Sequence, residues 1–283
     1  MRTLLTLICS VAVAMTASAA ELHVPKNVVA GTDFSITTDE NSQGTFYLIG
    51  PGSATKRTVN GSEISVAGTT IEQAGEYQAI LCSDECNSVQ FYVRAAEPDH
   101  LSLLVHPSRV PVASNNAISA VAIALDRFHN IVFAPAQVNF SVGSKDGKDA
   151  SHAQPTNRGI AWIRLTSASK AGAAKISASI GDNTETRIVE QVASEACNLR
   201  IKSSWENGRL VVQTDPVRDC SGNNVPDGTI VSFTKTDSSG RTTVDAPIKK
   251  GIARVEMPVV GNARISVASG VVLGNELNVG GAR

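Results

Sequence analysis

Aromatic side chains are scarce in this 283-residue sequence. Two tryptophans, three tyrosines and seven phenylalanines make up 4% of it, so a tryptophan platform for a sugar could use only Trp162 and Trp205. An excess of charge is missing as well. The 25 Lys and Arg stand against 26 Asp and Glu. That excludes the basic face a nucleic-acid partner needs and removes any electrostatic pull toward anionic lipid. Beyond the N-terminus no run of about 18 apolar residues occurs, so no transmembrane segment is expected. The five histidines (His23, His100, His106, His129, His152) form no H-x-H or H-E-x-x-H spacing, and no G-x-S-x-G elbow appears. These absences lead to the expectation of a non-enzyme with no cofactor and no metal.

The first twenty residues are informative. Arg2 supplies a positive start, residues 4–14 are almost continuously apolar, and Ala17-Ser18-Ala19 offers small residues at a cleavage site. This order is that of a secretory signal peptide, residues 1–19, removed after Ala19 or alternatively after Ala20. Cys9 lies inside the apolar run behind Ile8, where a lipid-attachment site would need a small residue. It is read as part of the discarded leader. The last residues, 277–283, show neither a hydrophobic tail nor a sorting motif. The mature chain is expected to be exported, to the periplasm or to the cell surface or extracellular space.

Four cysteines remain after processing, which suits an oxidising compartment. Cys82 and Cys86 are close neighbours, and Cys197 and Cys220 lie together far downstream. Pairing within each group requires no contact between distant domains, so Cys82–Cys86 and Cys197–Cys220 are expected. Loop entropy would contribute roughly 2 and 3 kcal/mol respectively. A four-thiolate zinc site is disfavoured, because the first close pair is not matched by a second.

An internal repeat organises the chain. Asp126-Arg-Phe-His-Asn130-Ile-Val132, then Val138-Asn-Phe140, corresponds to Asp219-Cys-Ser-Gly-Asn223-Asn-Val225, then Val231-Ser-Phe233. Gly159-Ile-Ala corresponds to Gly251-Ile-Ala, and Gly172-Ala-Ala-Lys-Ile-Ser177 to Gly261-Asn-Ala-Arg-Ile-Ser266. The Asp and Asn of the D-x3-N stretch are turn formers that bond their own backbone. They carry too few carboxylates for a calcium site. V-x-F puts two apolar side chains on one face, the period of a half-buried strand. No long segment has a helical period, and turns recur every 8 to 12 residues or so, the rhythm of a β-sandwich or barrel.

Asp219, Gly222, Asn223, Val225, Pro226, Gly228, Val231 and Phe233 resemble the pattern of bacterial immunoglobulin-like domains of the invasin and intimin type. Residues 99–193 match more loosely, with His129 where Gly222 stands. The resemblance covers residues of about 99–280. It implies an immunoglobulin-like fold and a stalk-like role, not a ligand. Residues 20–96 differ. Gln73-Ala-Gly-Glu-Tyr77-Gln-Ala79 resembles the tyrosine-corner stretch of immunoglobulin domains, with Ala79 where the inter-sheet cysteine would be.

The expected architecture is all-β: three tandem immunoglobulin-like β-sandwiches, residues 20–96, 97–193 and 194–283. The linkers at residues 95–99 and 191–195 are short and not Gly/Ser-rich, which predicts a semi-rigid rod. The expected function is a non-catalytic structural or interaction subunit with a protein partner in the cell envelope. A secreted carbohydrate-binding or adhesive module is the alternative. Trp162 and Trp205 are the candidate ligand contacts, although packing is the favoured role for both.

Overall fold

The computed structural model describes residues 21–143 and 150–280, and the expected signal peptide lies outside them. Apart from one short 3-10 turn, Gly68–Thr70, the named elements are β-strands. Among the described residues no helix is long and apolar enough to cross a membrane. The chain divides into two compact units. Among the described residues, one holds those up to Glu97 together with Asp126–Val132; the other holds Pro98–Leu125 and those from Phe133 onward.

The first unit holds one sandwich. Its strands run in the order Leu22–His23, Phe34–Gly50, Gly75–Cys82, Cys86–Arg94, Val28–Val29, with Ser53–Val66 also on Phe34–Gly50. Phe34–Gly50 shifts register between Thr37 and Ser42, a bulge that bends the strand. It supplies Ile36 before the bulge, and Phe46 and Leu48 after it, to one core with Ile64, Ile71, Leu81 and Val93. The tyrosine corner forms. The Tyr77 hydroxyl donates to the Gln73 carbonyl at 3.0 Å, and burial pushes its pKa up. Its ring stacks on Phe91 at 5.7 Å. A Cβ at Gly50 would stand 2.1 Å from that ring, so the corner demands glycine there. Ala79, buried, occupies the site of the missing cysteine. Cys82 bonds to Cys86 across the hairpin that joins Gly75–Cys82 to Cys86–Arg94.

The second unit holds two sandwiches built to one plan. In the first of them, a five-stranded sheet runs Ala150–Pro155, Gln137–Gly143, Gly172–Ile180, Asn183–Val192, Arg109–Pro111. It faces the three strands Ile160–Leu165, Ile118–Leu125 and His100–His106. In the next, Gly240–Pro247, Ile230–Asp237 and Ala263–Ser269 follow one another, with Val272–Leu273 and Leu277–Val279 on the last. Ile201–Glu206, Arg209–Thr214 and Arg254–Met257 form the opposite layer. The V-x-F residues Val138, Phe140, Val231 and Phe233 are fully buried, as period-two alternation requires.

Register reveals that all three sandwiches share a frame. Phe46 faces Leu81, Phe140 faces Ala178 and Phe233 faces Val267. Each of those partners stands six residues after a glycine, namely Gly75, Gly172 and Gly261. The first sandwich therefore belongs to the same geometric series although its sequence shows no D-x3-N turn.

Candidate functional site: two clasped turns and a tryptophan face

The turn Asp126–Val132 is built around one buried carboxylate. Asp126 Oδ1 accepts the N–H groups of Phe128 and Asn130, each at 2.9 Å. Its Oδ2 accepts Ala96 N–H and Asn130 Nδ2, each at 2.9 Å. Ala96 lies in the linker, so the aspartate ties the turn to the chain that precedes it. Asn130 then reaches outward. Its Nδ2 donates to the Glu72 carbonyl at 2.7 Å, and its Oδ1 accepts Ala74 N–H at 2.8 Å. The carboxamide thus reads one acceptor and one donor two residues apart, just ahead of Gly75. Phe128 completes the fit by lying over Gly31, where a Cβ would meet its ring at 2.1 Å. Arg127 stacks on the Phe128 ring at 4.7 Å.

The turn at Asp219 repeats this. Oδ1 accepts Ser221 N–H at 2.9 Å and Asn223 N–H at 2.8 Å. Oδ2 accepts the linker N–H of Ser194 at 3.0 Å and Asn223 Nδ2 at 3.0 Å. Asn223 Nδ2 donates to the Ser169 carbonyl at 2.8 Å, and its Oδ1 accepts Ala171 N–H at 2.9 Å. Cys197 bonds to Cys220, bracing this turn where the other uses Phe128. His129 and Gly222 occupy the same step with φ of 66° and 82°. Glycine is at ease in that left-handed region, and histidine enters it at a cost. All four carboxylate oxygens are committed to N–H donors, an arrangement for holding backbone rather than calcium. The sequence showed the turn, but not the grip of its asparagine on a carbonyl and an N–H more than fifty residues before it. The matched pairs Ala74-Gly75 and Ala171-Gly172 were the available signal.

Burial works against ionisation of Asp126 and Asp219. The donors outweigh it, led by the Asn130 and Asn223 side chains, and hold both pKa values below the ordinary one. A depressed folded-state pKa contributes stability that is present above the unfolded value of about 3.9 and is lost as pH falls through the folded value. Thermal midpoints should therefore be flat near neutrality and drop below about pH 4. Replacing both aspartates by Ala should flatten that acid limb in calorimetry. An acid limb of unchanged size in the double variant would contradict this assignment.

Trp162 faces solvent rather than the core, 61% exposed, while Ala161 and Leu165 turn inward. On the three-stranded layer, Trp162 lies opposite Val121, and Val121 opposite Leu104. The next row sets Ile160 opposite Ile123. Leu104 is 58% exposed and Ile160 43%, so five apolar side chains share one outward face. Trp205, 40% exposed, stands just before the Asn207-Gly208 hairpin turn, away from this face in sequence and on the third sandwich. The structure does not unite the two tryptophans on one sandwich. It does bring Glu21, His23 and Asp39 together at the surface, with ligand atoms within 4.8 Å of one another. Spacing could not show this cluster, because Asp39 arrives through pairing of Leu22–His23 with Phe34–Gly50.

Sheet order, tyrosine corner and repeated turns define the class: tandem immunoglobulin-like β-sandwiches. The fold is similar to that of the Escherichia coli adhesin FdeC, with a TM-score of 0.61 and 13% identity over 94% of this chain and 99% of that one. Invasin, a bacterial integrin-binding protein, is similar with a TM-score of 0.48 and 14% identity over 93% of this chain and 60% of that one. The immunoglobulin-like fold expected from the residues agrees with the likeness to FdeC, which at 13% identity is one of fold alone. No protein-family model matches the sequence, and no curated protein does.

Proposed function

We propose that the chain is a non-catalytic, exported structural or interaction protein. It acts as a series of immunoglobulin-like sandwiches that docks on a protein partner in the periplasm or at the cell surface. The observation that carries this reading is the outward apolar face Trp162, Val121, Leu104, Ile160 and Ile123. A contiguous apolar face on a sandwich is a mark of an interaction surface. The edge strand Ala150–Pro155, exposed throughout and paired only with Gln137–Gly143 among the described residues, supports strand addition as a second mode of contact. Two disulfides suit an oxidising compartment. Between the second and third sandwiches, the grip of Asp219 on Ser194 supports restricted swing at that linker. The adhesive role of FdeC agrees with a binding role here.

The test is recovery of the native protein from its own envelope with whatever it holds. An exposed aromatic at the centre of an interface contributes about 2 kcal/mol. Trp162→Ala should then weaken capture of the partner about thirtyfold, with Leu104→Ser behaving alike. Recovery of the chain alone and monomeric would end the docking proposal. A glycan array on which binding disappears with Trp162→Ala or Trp205→Ala would favour the carbohydrate-binding or adhesive module instead.

A further inference from the structure

The first two sandwiches each present a socket: a carbonyl, then an N–H two residues on, then a glycine. The residues are Glu72, Ala74 and Gly75 in the first and Ser169, Ala171 and Gly172 in the second. The third sandwich has the same frame at Pro258, Val260 and Gly261, as the register of Phe233 with Val267 places it. There the two backbone groups are already taken. Lys235 Nζ donates to the Pro258 carbonyl at 2.9 Å, and Asp237 Oδ2 accepts Val260 N–H at 3.0 Å. The same two groups that Asn130 and Asn223 read elsewhere are met here by an ammonium and a carboxylate of the sandwich itself.

The pair is built for this place. Lys235 and Asp237 continue the inward row Val231, Phe233, and their side chains are 5% and 0% exposed. They bond one another at 2.8 Å. By the shared register, Lys235 stands where the other sandwiches have Leu48 and Val142, and Asp237 where the first has Gly50. A lysine in a core row is tolerable only with partners for its charge, and both partners are at the socket. The Lys235 ammonium leads a set of contacts that hold the Asp237 carboxyl far below the usual carboxylate range, so that carboxyl stays ionised at neutral pH.

We propose that the third sandwich carries a closed socket. Lys235 and Asp237 occupy from within the backbone groups that hold an asparagine in the other two sandwiches. The third therefore takes no further sandwich, and no second copy of this chain, through a D-x3-N clasp. The first sandwich offers no such turn in exchange, since its Phe34–Gly50 runs as one bulged strand.

Residue-resolved amide exchange on the full chain tests this. Asp237→Ala should speed Val260 exchange about tenfold or more and leave Ala171 unchanged; Asn223→Ala should do the reverse. A second copy of residues 194–283 placed after Arg283 would put its own Ser194 five residues past Val279. Ser194 itself stands five residues past Val189, the residue in the same register. With the native pair, removing the asparagine of the added turn should leave Val260 exchange unchanged. With Lys235→Leu and Asp237→Gly, the added turn should protect Val260, and its own Asn→Ala should abolish that protection. Fast Val260 exchange in the native chain, or its dependence on the added asparagine, would overturn the proposal. So would an opened socket that the added turn fails to protect. If the opened variant does not fold, the paired Asp237→Ala and Asn223→Ala measurements decide alone.

Discussion

Asp219→Ala should destabilise the third sandwich by roughly 3 kcal/mol, on the reasoning that three stranded, partly buried donors each cost about 1 kcal/mol. The carboxylate is the common acceptor for Ser194, Ser221 and Asn223 N–H groups, and alanine offers none of them a substitute. Asn223→Ala should cost less, because it removes the reach to Ser169 and Ala171 but leaves the aspartate holding the turn. The two residues share a network, so the double variant should cost clearly less than the sum of the singles. Urea unfolding followed by Trp205 fluorescence in a Trp162→Phe background reports the third sandwich selectively. Additive costs would mean that Asn223 and Asp219 act independently, and the clasp described above would not exist as a unit.

Phe233→Ala should be larger still, about 3–5 kcal/mol, the usual cost of deleting a fully buried ring. Phe233 is fully buried in one core with Val231, Val255, Ile265 and Val267, and is the only ring in that cluster among the described residues. A domain of this size loses about 4–8 °C per kcal/mol, so its transition should fall by roughly 12 °C or more. Phe233→Leu, which conserves more of the volume, should cost less than about 1.5 kcal/mol. Phe140→Ala should behave alike in the second sandwich, since it holds the same register position. A loss below about 1 kcal/mol would show that this ring is not the centre of its core.

Much of the fold was legible because its signals are local. V-x-F marks an inward pair of a strand wherever it occurs, as Val138, Phe140, Val231 and Phe233 show. D-x3-N marks a turn because the aspartate bonds N–H groups two and four residues ahead. The tyrosine corner is likewise a bond across four residues, from Tyr77 to Gln73. The site was less legible. Trp162 shares a strand with Ile160 and Ile163, one on each side, and alternation alone does not say which side faces water. Burial of Ala161 and Leu165 decides it.

Strand periods, turns and the resemblance between the second and third sandwiches follow from the residues alone, because each depends on positions a few apart. What the turns hold emerges only in the folded chain. Asn130 meets Glu72, and Asn223 meets Ser169, across more than fifty residues. Lys235, which reads as a break in an apolar row, lies in a closed socket because Pro258 is folded against it. Contacts of that kind depend on which strands pair and on how one sandwich follows another. Side-chain chemistry along the chain carries no record of that until the backbone is in place.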